Sequence, residues 1–206
     1  LYLVATPIGN LEDMSPRAVR ILRESKLIAA EDTRHTIKLL NHFGIQTPLT
    51  SYFEHNKLDK LDRILASLAD GDVALVSDAG TPAINDPGYE LVRAALASGF
   101  DVRPVPGPSS AIAALSVSGL PTDRFLFVGF LPPKPAARRT ALQDIARVRA
   151  TLIFYESPAR LARALAALVN RLGEHLFARA GLAEQQHRRV GRGDLLQNAE
   201  QLPHPL

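Results

Sequence analysis

The chain has 206 residues, 46% of them apolar and 22% charged, enough apolar side chain to pack one large or two small cores. It contains no cysteine, which excludes disulfides, thiolate catalysis and cysteine-ligated zinc. The formal charge of +3 conceals two unlike halves: residues 1–130 hold 12 Lys/Arg against 15 Asp/Glu, and residues 131–206 hold 12 against 6.

A basic second half suits a polyanion such as RNA, although the excess of Arg over Lys, 19 to 5, is equally what genome composition can produce. No run approaches the roughly 20 apolar residues of a membrane helix. The opening LYLVATPIGN has no basic region of a signal peptide, so a cytoplasmic protein with no membrane contact is expected. The absence of an initial Met suggests a trimmed start, and Gln201–Leu206, with two prolines, reads as a truncated edge.

Short apolar runs recur along the chain at Tyr2–Thr6, Leu27–Glu31, Val73–Ser77, Val102–Val105, Phe125–Phe130 and Leu152–Tyr155. Amphipathic stretches lie between them at Pro16–Glu24, Thr36–Phe43, Leu58–Leu68, Tyr89–Ser98 and Ser110–Val117. Such alternation predicts an α/β fold with a largely parallel sheet. Ser15-Pro16 marks a helix start, a capping hydroxyl followed by proline at the first helical position, and Ser157-Pro158 repeats it before Leu161–Leu172. Three prolines stiffen Leu131–Pro135, which predicts a junction between an N-terminal domain, 1–130, and a C-terminal domain, 131–206.

Open parallel sheets bind ligands at the carboxyl ends of their strands, so the loops that follow the apolar runs are the places to search. Three are rich in Gly and Pro: Ala5–Asn10, Ser77–Gly88 and Pro104–Ala111. None carries G-x-G-x-x-G, and none has a lysine or a phosphate-cradling motif, which excludes a dinucleotide fingerprint and a triphosphate loop. Singly, each could be a plain turn. Together they suit a ligand with an adenosine end and an amino-acid end, met by amides, small side chains and one or two carboxylates. Two further clusters close apolar runs. Ala30-Glu-Asp-Thr-Arg-His35 gathers groups that could move a proton or clamp a substrate, whereas Glu156 in Phe154-Tyr-Glu-Ser-Pro158 reads first as an acid before a capped helix. His35 and His42 lack the partners of a zinc motif, so no protein-held metal is expected.

Nine ordered motifs are shared with one family. They are Leu3-Val-Ala-Thr-Pro-Ile-Gly-Asn-Leu-Glu-Asp13, Ala30-Glu-Asp-Thr-Arg-His-Thr36, Lys38-Leu-Leu-Asn-His-Phe-Gly44, Ser51-Tyr52 with Glu54-His-Asn56, Val76-Ser-Asp-Ala-Gly-Thr-Pro82, Asp86-Pro-Gly88, Pro106-Gly-Pro-Ser-Ser-Ala111, Gly129-Phe-Leu-Pro132 and Phe154-Tyr-Glu-Ser-Pro158. From Leu1 to about Leu172 the chain resembles the small-subunit ribosomal RNA methyltransferases I, a branch of the tetrapyrrole methylases. The resemblance implies two α/β domains with the ligand cleft between them, a homodimer, and S-adenosylmethionine as methyl donor. It further implies transfer to the ribose 2′-hydroxyl of cytidine 1402 of 16S ribosomal RNA, within the small ribosomal subunit.

Carried over motif by motif, Pro7, Ser77, Asp78, Ala79, Gly80, Ile84, Asp86, Ser109, Ser110, Ala111 and Leu131 should line the donor pocket. Asp32 is the expected proton acceptor, and Arg34 the group that holds a phosphate or lowers the hydroxyl's pKa. Arg34, Arg138, Arg139 and Arg160 are the expected RNA contacts. Two departures from the family pattern stand out. Ala159 replaces a usual histidine, and Arg179-Ala-Gly-Leu-Ala-Glu184 replaces an R-E-L-T-K segment, with Arg192-Gly193 and Leu195 a faint echo of the family's pattern beyond that segment. Divergence or truncation after about residue 180 is therefore expected. Two alternatives remain open: a tetrapyrrole C-methyltransferase, disfavoured because Thr6-Pro-Ile-Gly9 is not its G-x-G-P-G loop, and a catalytically impaired RNA- or ribosome-binding relative.

Overall fold

A computed structural model describes residues 1–52 and 57–172. Glu54–Asn56, the Arg179–Glu184 departure, Arg192, Gly193, Leu195 and Gln201–Leu206 lie outside the described residues. Five strands, β1 (Tyr2–Val4), β2 (Leu27–Ala30), β3 (Leu49–Ser51), β4 (Val73–Val76) and β5 (Arg103–Val105), form one sheet in the order β3-β2-β4-β1-β5, every pair parallel. Strand β3 has no counterpart among the runs expected from sequence. It is three residues long, follows Pro48 and pairs only with β2, too little for a periodic signal.

The helices α1 (Pro16–Glu24), α2 (Thr33–His42), α3 (Lys57–Asp70) and α4 (Tyr89–Ala97) cover both faces. Met14, Ala18, Ile21, Leu22 and Leu40 pack with Val4, Ile28, Ala30, Ala74 and Val76 on one face. On the other, Ile64, Leu68, Leu91 and Ala95 pack with Ala29, Val73 and Leu75. Ala29 parts from its neighbours Ile28 and Ala30 because side chains alternate along a strand. The walk from β1 to β2 to β3 runs one way across the sheet with α1 and α2 on one face, and the return through β4 to β5 puts α3 and α4 on the other. A right-handed crossover rule demands that reversal. Strand β4 thus lies between β1 and β2, whose chains leave towards the opposite face, and the crevice beyond its carboxyl end is where such a fold seats a ligand.

Ser15 caps α1 as expected, its Oγ accepting from Ala18 N at 3.0 Å, with Pro16 at the first helical position. Helix α2 starts at Thr33 rather than Thr36, because the Asp32 carboxylate accepts from Arg34 N at 2.8 Å and caps it. Helix α5 (Ser110–Val117) follows β5. The strands β6 (Phe125–Phe130) and β7 (Thr151–Tyr155) then pair in parallel as a second sheet, joined through α6 (Pro135–Ile145) and followed by α7 (Pro158–Leu172). The expected junction at Leu131 directly follows β6. Phe125–Phe130 hydrogen-bonds to β7, so the sheets divide before β6, and Leu131–Pro135 turns within the second βαβ unit.

Candidate active site

The three loops of the first sheet are tied to one another at the strands' carboxyl edge. Thr6 and Gly80 exchange backbone hydrogen bonds of 2.9 and 3.0 Å, and the buried Thr6 hydroxyl donates to Ser77 O at 3.3 Å. Thr81 Oγ1 donates to Pro108 O at 3.2 Å, joining the second loop to the third. A Cβ on Gly107 would lie 2.9 Å from Ala5 Cβ, so glycine permits the third loop to close on the first. Gly80 meets a different demand. Its φ is +83°, while an added Cβ would find ordinary contacts at 3.5 Å and beyond, so conformation rather than space requires glycine there.

The second sheet meets these loops with its own strand ends. Tyr155 Oη and Ser110 Oγ share a 2.7 Å hydrogen bond, and a Cβ on Gly129, φ +73°, would stand 2.3 Å from Asn85 Oδ1. Leu131, just past β6, is buried. Of the residues expected to line a donor pocket, Ser77, Gly80, Ala111 and Leu131 are buried, Pro7, Asp86, Ser109 and Ser110 half-buried, and Asp78, Ala79 and Ile84 exposed at the rim. Ser109 begins α5 with no side-chain cap, leaving first-turn amides available to a ligand.

Four carboxylates gather beyond β2 and β4. Burial raises the Glu31 pKa, opposed by the hydrogen bond from Asp78 N and reinforced by the charges of Asp86, Asp78 and Asp32. Burial also raises Asp86, against a hydrogen bond from Ser77. Asp32 goes the other way. The Arg34 side chain and then the Arg34 backbone N–H hold its carboxyl well below the usual range, with Arg34 Nη2 at 2.6 Å from Oδ2. The expected proton acceptor is therefore a helix cap in an ion pair, and Glu31, one residue earlier, is the acid with the more basic carboxylate. Sequence reasoning placed both in one cluster but could not tell which of them Arg34 would take.

Folding also sets Asp78 Oδ2 3.3 Å from His35 Nδ1, so that Asp32, His35 and Asp78 offer ligand atoms within 4.8 Å of one another. Asp32 is already engaged by Arg34, and Asp78 Oδ1 by Asp32 N. Arg138 requires a correction as an RNA contact. It is 6% exposed, and its guanidinium donates to Pro132 O and Pro133 O at 3.1 and 3.0 Å, bracing the turn after β6. Arg139 is exposed, Arg34 is exposed but paired, and Arg160 pairs with Glu156 at 2.7 Å. A cleft of about 260 Å³ lies at the opposite, amino-terminal edge of the sheet. Its Arg20 is paired with Glu24, and its Arg103 with Asp101, so it holds little unbalanced charge.

A doubly wound parallel sheet whose strand-end loops meet a second βαβ unit defines the class, and the family model for tetrapyrrole (corrin/porphyrin) methylases matches residues 1–196. The methyltransferase CobJ shares this fold, with a TM-score of 0.59 at 21% identity over 82% of this chain and 75% of that one. The chain belongs to that family and, within it, to the ribosomal RNA small subunit methyltransferase I proteins. It is 59% identical to the one of Pseudomonas aeruginosa over 167 residues, 81% of this chain and 59% of the relative. With the Synechocystis protein it shares 52% over 197 residues, 95% of this chain and 71% of the relative. Measured against three such relatives it spans between 56% and 66% of their length.

Proposed function

We propose that this chain binds S-adenosylmethionine at the strand-end loops and transfers its methyl group to the ribose 2′-hydroxyl of cytidine 1402 of 16S ribosomal RNA. The reading is carried by the meeting of the three loops with the ends of β6 and β7, in a chain whose relatives are named ribosomal RNA small subunit methyltransferase I. The residues present suit the donor. Half-buried Asp86, whose carboxylate pairs with no cation among the described residues, complements a ligand with a sulfonium and an ammonium group. Ser109, Ser110 and the open amides of α5 can meet its polar ends, while Pro7, Ala79, Gly80 and Leu131 supply close, small or apolar walls.

When bound, the donor supplies an electrophilic methyl carbon. What remains for the protein is alignment and proton removal. The loop–loop hydrogen bonds fix the walls of the site, which is the requirement of an in-line displacement. Glu31 takes the hydroxyl proton in this reading, since a carboxylate raised by burial is a better acceptor than one held low by Arg34. Arg34, 86% exposed on its side chain, retains donors for a phosphate. Asp32 holds Arg34 and caps α2. The basic stretch from residue 131 onwards, Arg139 among it, contributes positive charge towards RNA. A homodimer is part of the same reading, supported by α5, an apolar helix on which Ile112 and Val117 stay exposed.

The test is calorimetric titration with S-adenosylmethionine, followed by incubation of labelled donor with small subunits lacking the modification and mapping of the methylated position. Label at the 2′-oxygen of cytidine 1402 is the expected result. Donor binding without transfer would favour a binding relative, and label on a tetrapyrrole but not on RNA would overturn the substrate.

A further inference from the structure

Glu156 follows the last residue of β7, and the Glu156 side chain is 7% exposed. Its two oxygens are treated unequally. Oε1 accepts from Ser157 N at 2.8 Å and pairs with Arg160 at 2.7 Å. Oε2 is fully buried and has no hydrogen-bond partner among the described residues. A helix-capping acid needs only the first set of contacts. A buried acceptor left unsatisfied is destabilising, more so when it belongs to a charged group, and such groups persist where a ligand or an ordered water pairs them.

The surroundings locate that ligand. Tyr155, the preceding residue, reaches across to Ser110 at the head of α5 with its hydroxyl. The Arg160 guanidinium lies 6.0 Å from the centroid of the Phe130 ring, which is 50% exposed at the end of β6. Phe130 in turn packs edge-on against Tyr155 at 5.6 Å. An exposed ring beside a guanidinium offers a stacking surface to a planar base. A carboxylate oxygen beside it accepts from the N–H or O–H groups that base and sugar edges present.

We propose that Glu156 is a recognition residue of the cleft, its buried Oε2 accepting a hydrogen bond from an amine or hydroxyl of a bound nucleoside. This rests on the methyltransferase reading, which supplies two nucleosides: that of the donor and that of the target nucleotide. Entry to Oε2 requires the side chains over it to move; Arg160, joined to the other oxygen, is 32% exposed on its side chain.

Glu156→Gln isolates the claim, because an amide keeps one oxygen for Ser157 N and Arg160 and converts the other position from acceptor to donor. Binding of S-adenosylhomocysteine by calorimetry and KM for unmodified small subunits are measured in wild type and variant, with thermal unfolding as the check on folding. The expected result is a loss of about 10- to 100-fold in one of the two, the size of a hydrogen bond to a charged group, at an unchanged melting temperature. Loss in the first names the donor nucleoside as partner, and loss in the second the target nucleotide. Affinities within about twofold of wild type for both would overturn the assignment. Should Glu156→Gln unfold, Glu156→Met fills the same volume without an acceptor and must show the same loss. A wild-type chain that binds neither ligand would overturn the methyltransferase reading and this assignment together, whereas wild-type binding with an indifferent variant overturns this assignment alone.

Discussion

Replacing Gly129 by Ala probes how tightly the second sheet is seated on the loops of the first. Two costs are visible. Gly129 has a φ of +73°, where an L side chain costs about 1–2 kcal/mol. The new methyl would also stand 2.3 Å from Asn85 Oδ1, so the Asn85 side chain must leave its rotamer for about 0.5–1.5 kcal/mol more. Together they give a destabilisation of about 1.5–3.5 kcal/mol. The two parts can be separated. Asn85→Gly removes the obstructing side chain and tolerates the φ of +63° at that position, so Gly129→Ala in that background should cost only the conformational part. Urea unfolding of the four proteins, read by circular dichroism, measures the difference. An identical cost in both backgrounds would refute the contact between β6 and the second loop, and a cost below about 0.5 kcal/mol would refute the backbone argument as well.

Glu31→Gln should keep donor affinity within a few-fold and slow single-turnover methylation by about 100-fold or more, whereas Asp32→Asn, which retains a capping side chain, should change the rate little. The reverse ranking would restore Asp32 as the proton acceptor. Stability should respond to pH through the same residue. Because the Glu31 pKa is raised in the folded chain, its contribution is most favourable below the ordinary glutamate pKa and is lost as pH rises through the raised value. The unfolding free energy of Glu31→Gln should therefore gain on wild type between pH 4 and pH 7, and a constant gap would show that burial does not perturb the group. For RNA binding, Arg139→Ala should reduce the slope of log affinity against log salt by about 0.7–0.9, while Arg138→Ala should leave the slope and lower stability by about 1–3 kcal/mol through two abandoned carbonyls. Equal slopes in the two variants would remove Arg139 from the interface.

Local chemistry explains which features could be read from the sequence. Ser15-Pro16 announces a helix within four residues, and the loops after β1, β4 and β5 betray themselves by Gly and Pro directly behind apolar runs. What escaped depends on contacts that only the folded chain makes. Asp32 and Arg34 read from the sequence as two separate candidate groups, and the structure joins them in a helix cap and an ion pair. Arg138 looked like a surface cation on a basic helix, but the Pro132 and Pro133 carbonyls bury it. Phe125–Phe130 pairs with β7, and nothing in an apolar run states which strand it will pair with. The Ser110–Tyr155 bond arises only when β7 comes up against α5.

The position of β1 has a consequence for how the molecule comes into being. Tyr2 stands opposite Ala74 on one side and Arg103 on the other, so β1 has no neighbour in its sheet to join until β4 and then β5 have been made. Strands β2 and β3, with Ile28 opposite Leu49, can pair much earlier and must keep an open edge for β4. The pairing of β1 with β4 and β5 is thus a non-local step, of the kind that slows folding. A nascent chain halted before Arg103 would leave one edge of β1 uncovered, a form suited to capture by chaperones or to aggregation. The Thr6–Gly80 bridge needs the loop after β4 beside the loop after β1, so a chain halted before Gly80 would hold the first loop without the partner it closes on.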